Sequence, residues 1–235
     1  MTHAQDERRA LSDLLADLGP GKPTLCTGWQ TSDLAAHLVL RERRPDAGAG
    51  VMGGPLAGYT RHVQARLASR NSFAELLKLI RTGPPRMSLF GLPGADDRLN
   101  LVEYFVHHED VLRAQPGWQP RKISAELTDV LWDRLSLARL MMRRAPVGVE
   151  LVRGDADSAA SAGHGRVRIT AKARTPVVTV TGDPAELTLW TMGRTSAADV
   201  QMAGADADIA ALQSDHWRRY SRPTPAAMRV AGPKG

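Results

Sequence analysis

The feature that most constrains this chain is a change of sequence pattern near Pro146. Before it, apolar residues recur at helical spacing, whereas the segments that follow it are short and alternate as strands do. A chain of 235 residues has room for one large domain or two compact ones. We therefore predict an α+β protein with a helical domain over 1–146 and a small α/β domain over 147–214. Over 215–235 the periodicity is weak, and we expect a poorly ordered tail.

The first domain is predicted to be a four-helix bundle with loops marked by glycine and proline. The second main helix is expected to be capped by Thr31 or Ser32 and to end near Arg44. Shorter helical pieces are predicted over 59–69 and 73–81. The other three main helices are predicted over 6–18, 99–114 and 124–144.

The second domain is predicted to contain several short strands. Strands are expected over 147–153, 166–171, 177–181 and 198–203. A helix should begin at Pro184, because Asp183 can cap it and Glu186 stands in the capping-box position. A last short helix is predicted over 206–212.

Composition excludes several classes of protein. The single cysteine, Cys26, rules out an intramolecular disulfide and a multi-cysteine zinc module. The net charge of +6 and the pI of about 10.0 raise the possibility of nucleic-acid binding, but the arginines are scattered and no nucleic-acid recognition motif accompanies them. No run approaches the ~18 apolar residues of a membrane span, and the first residues do not resemble a targeting segment. We expect a cytoplasmic protein that binds neither nucleic acid nor membrane.

Two polar residues share a helix face with apolar ones in the segment LNLVEYFVHHEDVLRA. Helical spacing from Leu99 places Glu103 and His107 on a stripe that also carries valines. Residues four apart are neighbours on a helix surface, and burying a carboxylate and an imidazole is costly unless they are paired or bind a metal. A simple hydrogen-bonded pair is the alternative. His108 competes with His107, because the opposite face of this helix is also apolar.

A third candidate ligand lies in the segment DLAAHLVLRERR, where His37 is flanked by apolar residues. Together, His37, Glu103 and His107 would make a set of two histidines and one carboxylate. Zinc often takes three such ligands and leaves a fourth position for water or substrate, and non-haem iron(II) uses the same ligand types. Spacing alone does not decide the metal.

Other residues near these segments have less certain roles. Asp110 could orient a histidine ligand or form an ion pair with Arg113 on the helix surface. Cys26 could be a reactive thiol, although a structural cysteine beside Trp29 is the simpler interpretation. The arginines that end the second helix could hold an anion or could simply be solvated there, where positive charge is favoured; they are Arg41, Arg43 and Arg44.

The segments TLCTGWQTSDLAAHLVLRERRPDA, over 24–47, and LNLVEYFVHHEDVLRAQPGW, over 99–118, resemble the mycothiol-dependent maleylpyruvate isomerase-like family of the DinB-like metal-binding superfamily. The resemblance looks closest to an uncharacterised actinobacterial metal-binding branch. It implies a DinB-like four-helix bundle followed by a small domain similar to sterol-carrier-protein folds. In the family, the matching positions bind a divalent metal, usually zinc, and here they are His37, Glu103 and His107.

The resemblance also implies thiol chemistry, because members of the family use the small thiol mycothiol. A metal at an open position lowers the pKa of a bound thiol as it lowers that of water, and the thiolate is the competent nucleophile. We therefore expect a mycothiol-dependent S-transferase or isomerase that acts on an electrophilic small molecule, as a monomer or homodimer. Maleylpyruvate is doubtful as the substrate, because the segments 41–46 and 107–110 depart from the isomerases proper. The alternative is a non-catalytic, stress-related regulatory protein that keeps the metal site.

Overall fold

In a computed structural model of the protein, the described residues are 2–48, 55–85, 95–154 and 167–214. They form two compact units, one that ends at Gln119 and one that begins at Pro120. Helices build the first unit, and a mixed sheet with helices builds the second, so the protein is α+β. The tail predicted over 215–235 lies outside the described residues.

The first unit contains six helical segments within its described residues. Helix α1 packs against α5 and α6, whereas α2 packs against α4 and α5. Their bounds are α1 (His3–Leu18), α2 (Thr31–Arg43), α3 (Pro45–Gly48), α4 (Ala57–Arg70), α5 (Phe73–Thr82) and α6 (Ala95–Leu112).

Local sequence explains where α1 and α2 begin and end. Thr2 and Gln5 form a capping box at the start of α1, and Gly19 ends this helix at a positive φ of 79°. Helix α2 begins after Gln30, whose backbone N–H donates to the Asp33 carboxylate at 2.9 Å. The predicted cap at Thr31 or Ser32 is therefore wrong by one or two residues, since the Thr31 hydroxyl donates to the carbonyl of Gly19 instead.

Apolar residues of α1, α2 and α5, many of them leucines, supply most of the core of the first unit. The burial of each side chain contributes about 1.5–3 kcal/mol. Helix α6 is buried on nearly all sides between Tyr104 and Val111, so its polar residues lie inside the unit rather than in solvent. The fully buried aliphatic residues include Leu11, Leu15, Leu34, Leu38, Leu76 and Ile80.

The second unit is built around a four-stranded sheet with the order β2-β1-β3-β4. Strand β1 pairs antiparallel with β2 and parallel with β3, and β4 pairs antiparallel with β3. Its elements are α7 (Ala125–Arg134), α8 (Ala138–Met141), β1 (Gly148–Arg153), β2 (Arg168–Lys172), β3 (Val177–Gly182), α9 (Pro184–Thr191), β4 (Gln201–Ala203) and α10 (Asp206–Gln213).

The pattern of the second unit was largely predictable. Strands β1 to β3 lie within two residues of the predicted segments, and Asp183 caps α9 by accepting from the N–H of Ala185 at 2.8 Å. The carboxylate of Glu186, at the capping-box position, accepts from the backbone N–H of Asp199 at 2.9 Å. Strand β4 is shorter than predicted.

The long helix predicted over 124–144 is wrong in both its form and its partners. Helical structure in this segment is interrupted by short 3-10 turns on both sides of α8. Its apolar residues Trp132, Leu135 and Met142 belong to the same buried cluster as Val149 and Leu151 of β1. The two units therefore divide at residue 119 rather than near 146, and this segment is not the fourth helix of a bundle.

The helices of the described ranges were also compared with the length and hydropathy that a bilayer requires. None of them is both long enough and apolar enough to cross a membrane.

Candidate metal centre

Three parts of the first unit supply the side chains of the site. Helix α2 carries His37, the loop before it carries Cys26, and α6 carries Glu103, His107 and Asp110. The three residues of α6 are spaced by four and then three positions, which places them on one side of the helix. The sequence of α6 thus brings three of the five side chains together locally, and the packing of the unit brings His37 and Cys26 to them.

The predicted ligands His37, Glu103 and His107 come together, and we call them the outer set. One ligand atom from each lies within 4.8 Å of the other two. Nε2 of His37 and Nε2 of His107 each lie 3.1 Å from Oε1 of Glu103. The two imidazole rings meet edge to face, with centroids 5.2 Å apart.

The outer set fits a divalent ion in both chemistry and spacing. Nitrogen and oxygen ligands about 2.1 Å from a tetrahedral zinc ion are about 3.4 Å apart, and the two measured separations are 3.1 Å. Neutral imidazole and carboxylate are ligands that zinc and iron(II) both accept. The three residues could therefore hold a metal ion after small side-chain movements.

Exposure differs across the outer set. The side chains of His37 and His107 are 5% and 6% exposed, whereas that of Glu103 is 16% exposed. Arg41 extends over the same edge, with its Nε 3.3 Å from Glu103 Oε1 and its side chain 21% exposed. The two histidines of the outer set are thus shielded from solvent, whereas its carboxylate is partly exposed.

Burial and neighbouring charges separate the pKa values of the outer set. Burial lowers the pKa of His37, because a charged ring is poorly solvated there. Burial alone would raise the pKa of Glu103, but the positive charge of Arg41 and the contacts with both histidines hold it well below its usual value. Glu103 is therefore ionised at neutral pH, as a metal ligand must be.

His107 is bonded on both of its ring nitrogens. Its Nδ1 lies 2.9 Å from Oδ2 of Asp110, a fully buried carboxylate, while its Nε2 is turned to Glu103. Burial disfavours the charged ring, but contacts with Asp110, Cys26 and Glu103 raise the pKa of His107 well above its usual value. A carboxylate on the far nitrogen is the arrangement that orients histidine ligands of metal ions.

The sequence left open whether Asp110 orients a histidine or forms an ion pair with Arg113, and in the structure Asp110 contacts His107. Asp110 bonds His107, while Arg113 donates to Glu109 at 2.7 Å and lies over the ring of Trp118 at 4.9 Å.

Cys26 lies on the inner side of the same histidine. Its thiol donates to Oδ2 of Asp110 at 3.2 Å, and its sulfur is 3.9 Å from Nδ1 of His107. Cys26, His107 and Asp110 form a second group that could hold a metal ion, and all three are buried. We call this group the inner set.

Trp29, which follows Cys26 in the same loop, covers His37 with ring centroids 5.0 Å apart. It is 5% exposed and belongs to the core of the unit. The loop therefore brings both an apolar wall and a thiol to the site.

His108 points in a different direction from His107. Its Nδ1 lies 3.2 Å from Oε2 of Glu7 on α1, so it takes no part in the outer or the inner set. Of the two adjacent histidines between which the sequence left the choice open, His107 lies in both sets and His108 in neither.

The other arginines at the end of α2 are turned away from the site. Arg43 donates to Thr82 and to the carbonyl of Gly83, and Arg44 pairs with Asp46. Of the three, Arg41 alone contacts the outer set in the described part of the chain.

Sequence reasoning missed a second polar cluster, on the side of α6 that faces α1. Arg8 donates to Glu42 at 2.8 Å, and the Tyr104 hydroxyl donates to the same oxygen at 2.7 Å. A signal was available, since Arg8 precedes Leu11 on the apolar stripe of α1 and Glu42 follows Leu38 on that of α2. We call it the α1 cluster; its members are Glu7, Arg8, Glu42, Asn100, Tyr104 and His108.

No family model, curated protein or solved structure matches the chain. The interpretation of the site therefore rests on its residues and their geometry.

Proposed function

We propose that this protein holds a divalent metal ion, zinc, on His37, Glu103 and His107, and that the metal serves chemistry on an external thiol. The observation that carries the proposal is the convergence of these three side chains from two helices, with Asp110 bonded behind His107. The imidazole and carboxylate atoms that meet one another here are atoms that a metal ion would take as ligands. A bound metal ion would also lower the pKa of a thiol coordinated to it.

The number of ligands and their exposure favour a reactive centre over a closed structural one. Structural zinc sites are usually closed by four protein ligands, whereas catalytic sites keep a position for water or substrate. The outer set offers three ligands, and its most exposed member is Glu103. An incoming molecule would therefore approach on the side of Glu103 and Arg41.

The charges around the site favour an anionic group at that position. A divalent ion would bring two positive charges, of which Glu103 neutralises one and Asp110 a second. Arg41, with its Nε 3.3 Å from Glu103, adds a further positive charge at the open edge. Attraction between unlike charges is strong in a partly buried site, so a thiolate is a suitable fourth ligand.

The sulfur that reacts is proposed to come from outside the chain. Cys26 is the single cysteine, and its thiol donates inward to Asp110. We propose that mycothiol in the cytoplasm supplies the sulfur, in keeping with the sequence resemblance to the mycothiol-dependent maleylpyruvate isomerase-like family. The reaction would then be S-transfer to an electrophile, or isomerisation by reversible addition of the thiolate.

Metal analysis of three proteins tests the first part of this proposal. Wild-type protein should contain about one divalent ion per chain, and His37→Ala should lose it. His62→Ala is the matched control, since His62 is exposed on α4 and should leave the metal content unchanged. Carefully prepared wild-type protein without metal, or equal metal in wild type and His37→Ala, would contradict the proposal.

Calorimetry with mycothiol on the zinc-loaded protein tests the second part. Arg41→Gln should weaken thiol binding while zinc stays bound, and Arg41→Lys, which keeps the charge, should restore part of the affinity. Turnover is then sought with a panel of electrophiles. Zinc binding without mycothiol binding or turnover would favour the non-catalytic, regulatory alternative.

A further inference from the structure

Cys26, Asp110 and Nδ1 of His107 are within 4.8 Å of one another and are buried on the inner side of the outer set. We propose that this inner set is a second metal site, selective for a soft divalent cation of the cadmium(II) class. Thiolate is a soft ligand that selects such ions.

The spacing of the inner set fits a metal ion. The sulfur of Cys26 lies 3.2 Å from Oδ2 of Asp110 and 3.9 Å from Nδ1 of His107, and the last two atoms are 2.9 Å apart. Around a tetrahedral ion with zinc-like bond lengths, these separations would be about 3.3–3.6 Å. With zinc-like bond lengths each pair moves by about half an ångström or less, and the two short pairs open further around a larger ion such as cadmium(II).

The charges of the inner set suit its burial. Cys26 is 2% exposed and Asp110 is fully buried, so a net charge at this position would be costly. When a divalent ion binds, the Cys26 thiol and Nδ1 of His107 give up their protons to solvent, and thiolate and carboxylate together neutralise the ion. The outer set offers two imidazoles and one carboxylate but no sulfur, so the two sets suit different ions.

Solvent is close to the inner set. Cys26 lies in the loop before α2, and the next two residues, Thr27 and Gly28, are exposed. Gly28 has a positive φ of 78°, a conformation that glycine adopts without the strain a side chain would bring. An ion would thus enter past the loop rather than through the packed helices.

The shared histidine makes the two sets alternatives to each other. A neutral imidazole has one N–H and one free lone pair. With a metal on Nε2, the proton on Nδ1 donates to Asp110; with a metal on Nδ1, the proton on Nε2 donates to Glu103. Both hydrogen bonds are already present, at 2.9 and 3.1 Å. The inner site stands independently of the proposed function, whereas this exclusion rests on it.

Cadmium(II) titration of the full-length, metal-free protein in a thiol-free reductant tests the inner site. Wild type should develop the ultraviolet thiolate-to-cadmium charge-transfer band, and no second cysteine exists to produce it. His37→Ala should keep the band. Cys26→Ser should lose it and bind cadmium more than about tenfold more weakly.

Absence of the band in wild type, or unchanged cadmium affinity in Cys26→Ser, would overturn the inner site. Circular dichroism checks that each variant is folded. If Cys26→Ser does not fold, cadmium affinity is measured on Asp110→Asn instead. Unchanged cadmium affinity in Asp110→Asn would also overturn the proposal.

Competition with cobalt(II) tests the exclusion. Cobalt in the outer set gives visible d–d absorption, which should disappear as the cadmium–thiolate band grows. If both signals persist together, exclusion is overturned and the inner site stands. If cobalt never binds but the cadmium band appears, the proposed function fails and the inner site stands.

Discussion

The two sides of α6 both bury polar residues, but they do so in different ways. In the α1 cluster, polar side chains contact each other directly, as in the ion pair Arg8–Glu42 and the pair Glu7–His108. On the site side, the two histidines and Arg41 all point to a single oxygen of Glu103. In both arrangements three groups meet one carboxylate oxygen, but those around Glu42 are hydrogen-bond donors, whereas those around Glu103 include two imidazoles that can bind a metal ion through a ring nitrogen. Burial and convergence of polar groups alone therefore do not mark a metal site, and side chains with ligand atoms for a metal ion do.

The largest effect that separates the two sides is expected at Glu42. Glu42→Gln should lower the free energy of unfolding by about 3–5 kcal/mol, because it removes the carboxylate that pairs with the buried Arg8 guanidinium. Metal content should stay the same. Urea unfolding and metal analysis measure the two quantities.

Asp13→Asn is the matched control for Glu42, since it makes the same chemical change in an ion pair with Arg81 that is about half exposed. Exposed pairs contribute little to stability, so this variant should unfold near the wild-type midpoint. Equal loss of stability in both variants, or loss of metal in Glu42→Gln, would contradict the division between the two sides.

An effect of intermediate size is expected at Asp110. Asp110→Asn removes the charge behind His107 but keeps a group that can accept its Nδ1 proton. Loss of such an outer carboxylate usually lowers metal affinity about 10–100-fold. Competition with a chelating dye measures the affinity, and an unchanged value would show that Asp110 does not orient the ligand.

The comparison of the two sides of α6 also shows how much of the site could be predicted from the sequence. The spacing of Glu103 and His107 and the apolar flanks of His37 predicted three residues that the structure brings together. The role of Asp110 and the orientation of the His108 side chain could not be predicted, because they depend on which segments pack on each side of α6. Helical periodicity in the sequence carries no information about those partners.

Contacts between residues distant in the chain were beyond sequence reasoning. Cys26 meets Asp110 across 84 positions, and no local pattern predicts that contact. The prediction of one long bundle helix over 124–144 was wrong for a related reason. Its apolar stripe predicts a buried helix equally well against a bundle or a sheet, and the sheet of the second unit is what it meets.

A smaller effect than that of Asp110→Asn, and a gradual one, is expected when zinc affinity is measured as a function of pH. Asp110, Cys26 and Glu103 outweigh burial and raise the pKa of His107 well above 6.5, so this ring is protonated in the metal-free protein at neutral pH. Zinc must displace that proton, and affinity should rise about tenfold per pH unit from pH 6.5 until the pH reaches the raised pKa. Calorimetry at several pH values, corrected for buffer ionisation, measures the slope.

The same shift affects stability with the sign that linkage requires. A group whose pKa is raised by folding stabilises the folded state below its unfolded pKa, and this contribution is lost as pH rises through the folded value. Metal-free protein should therefore lose stability above pH 6.5, whereas zinc-bound protein should not. A flat zinc affinity over this range would contradict the protonated state of His107.

The smallest effect concerns the link between the two sides. Arg41 contacts Glu103 through Nε and donates through Nη1 to Asn100, which in turn donates to Glu42 at 3.4 Å. This path is long and its last bond is weak, so Glu42→Gln and Asp110→Asn should change the unfolding free energy additively within about 0.5 kcal/mol. Urea unfolding of both single variants and the double variant measures the coupling. A coupling above about 1 kcal/mol would mean that the path through Arg41 and Asn100 joins the two sides into one network, and the α1 cluster would then belong to the site.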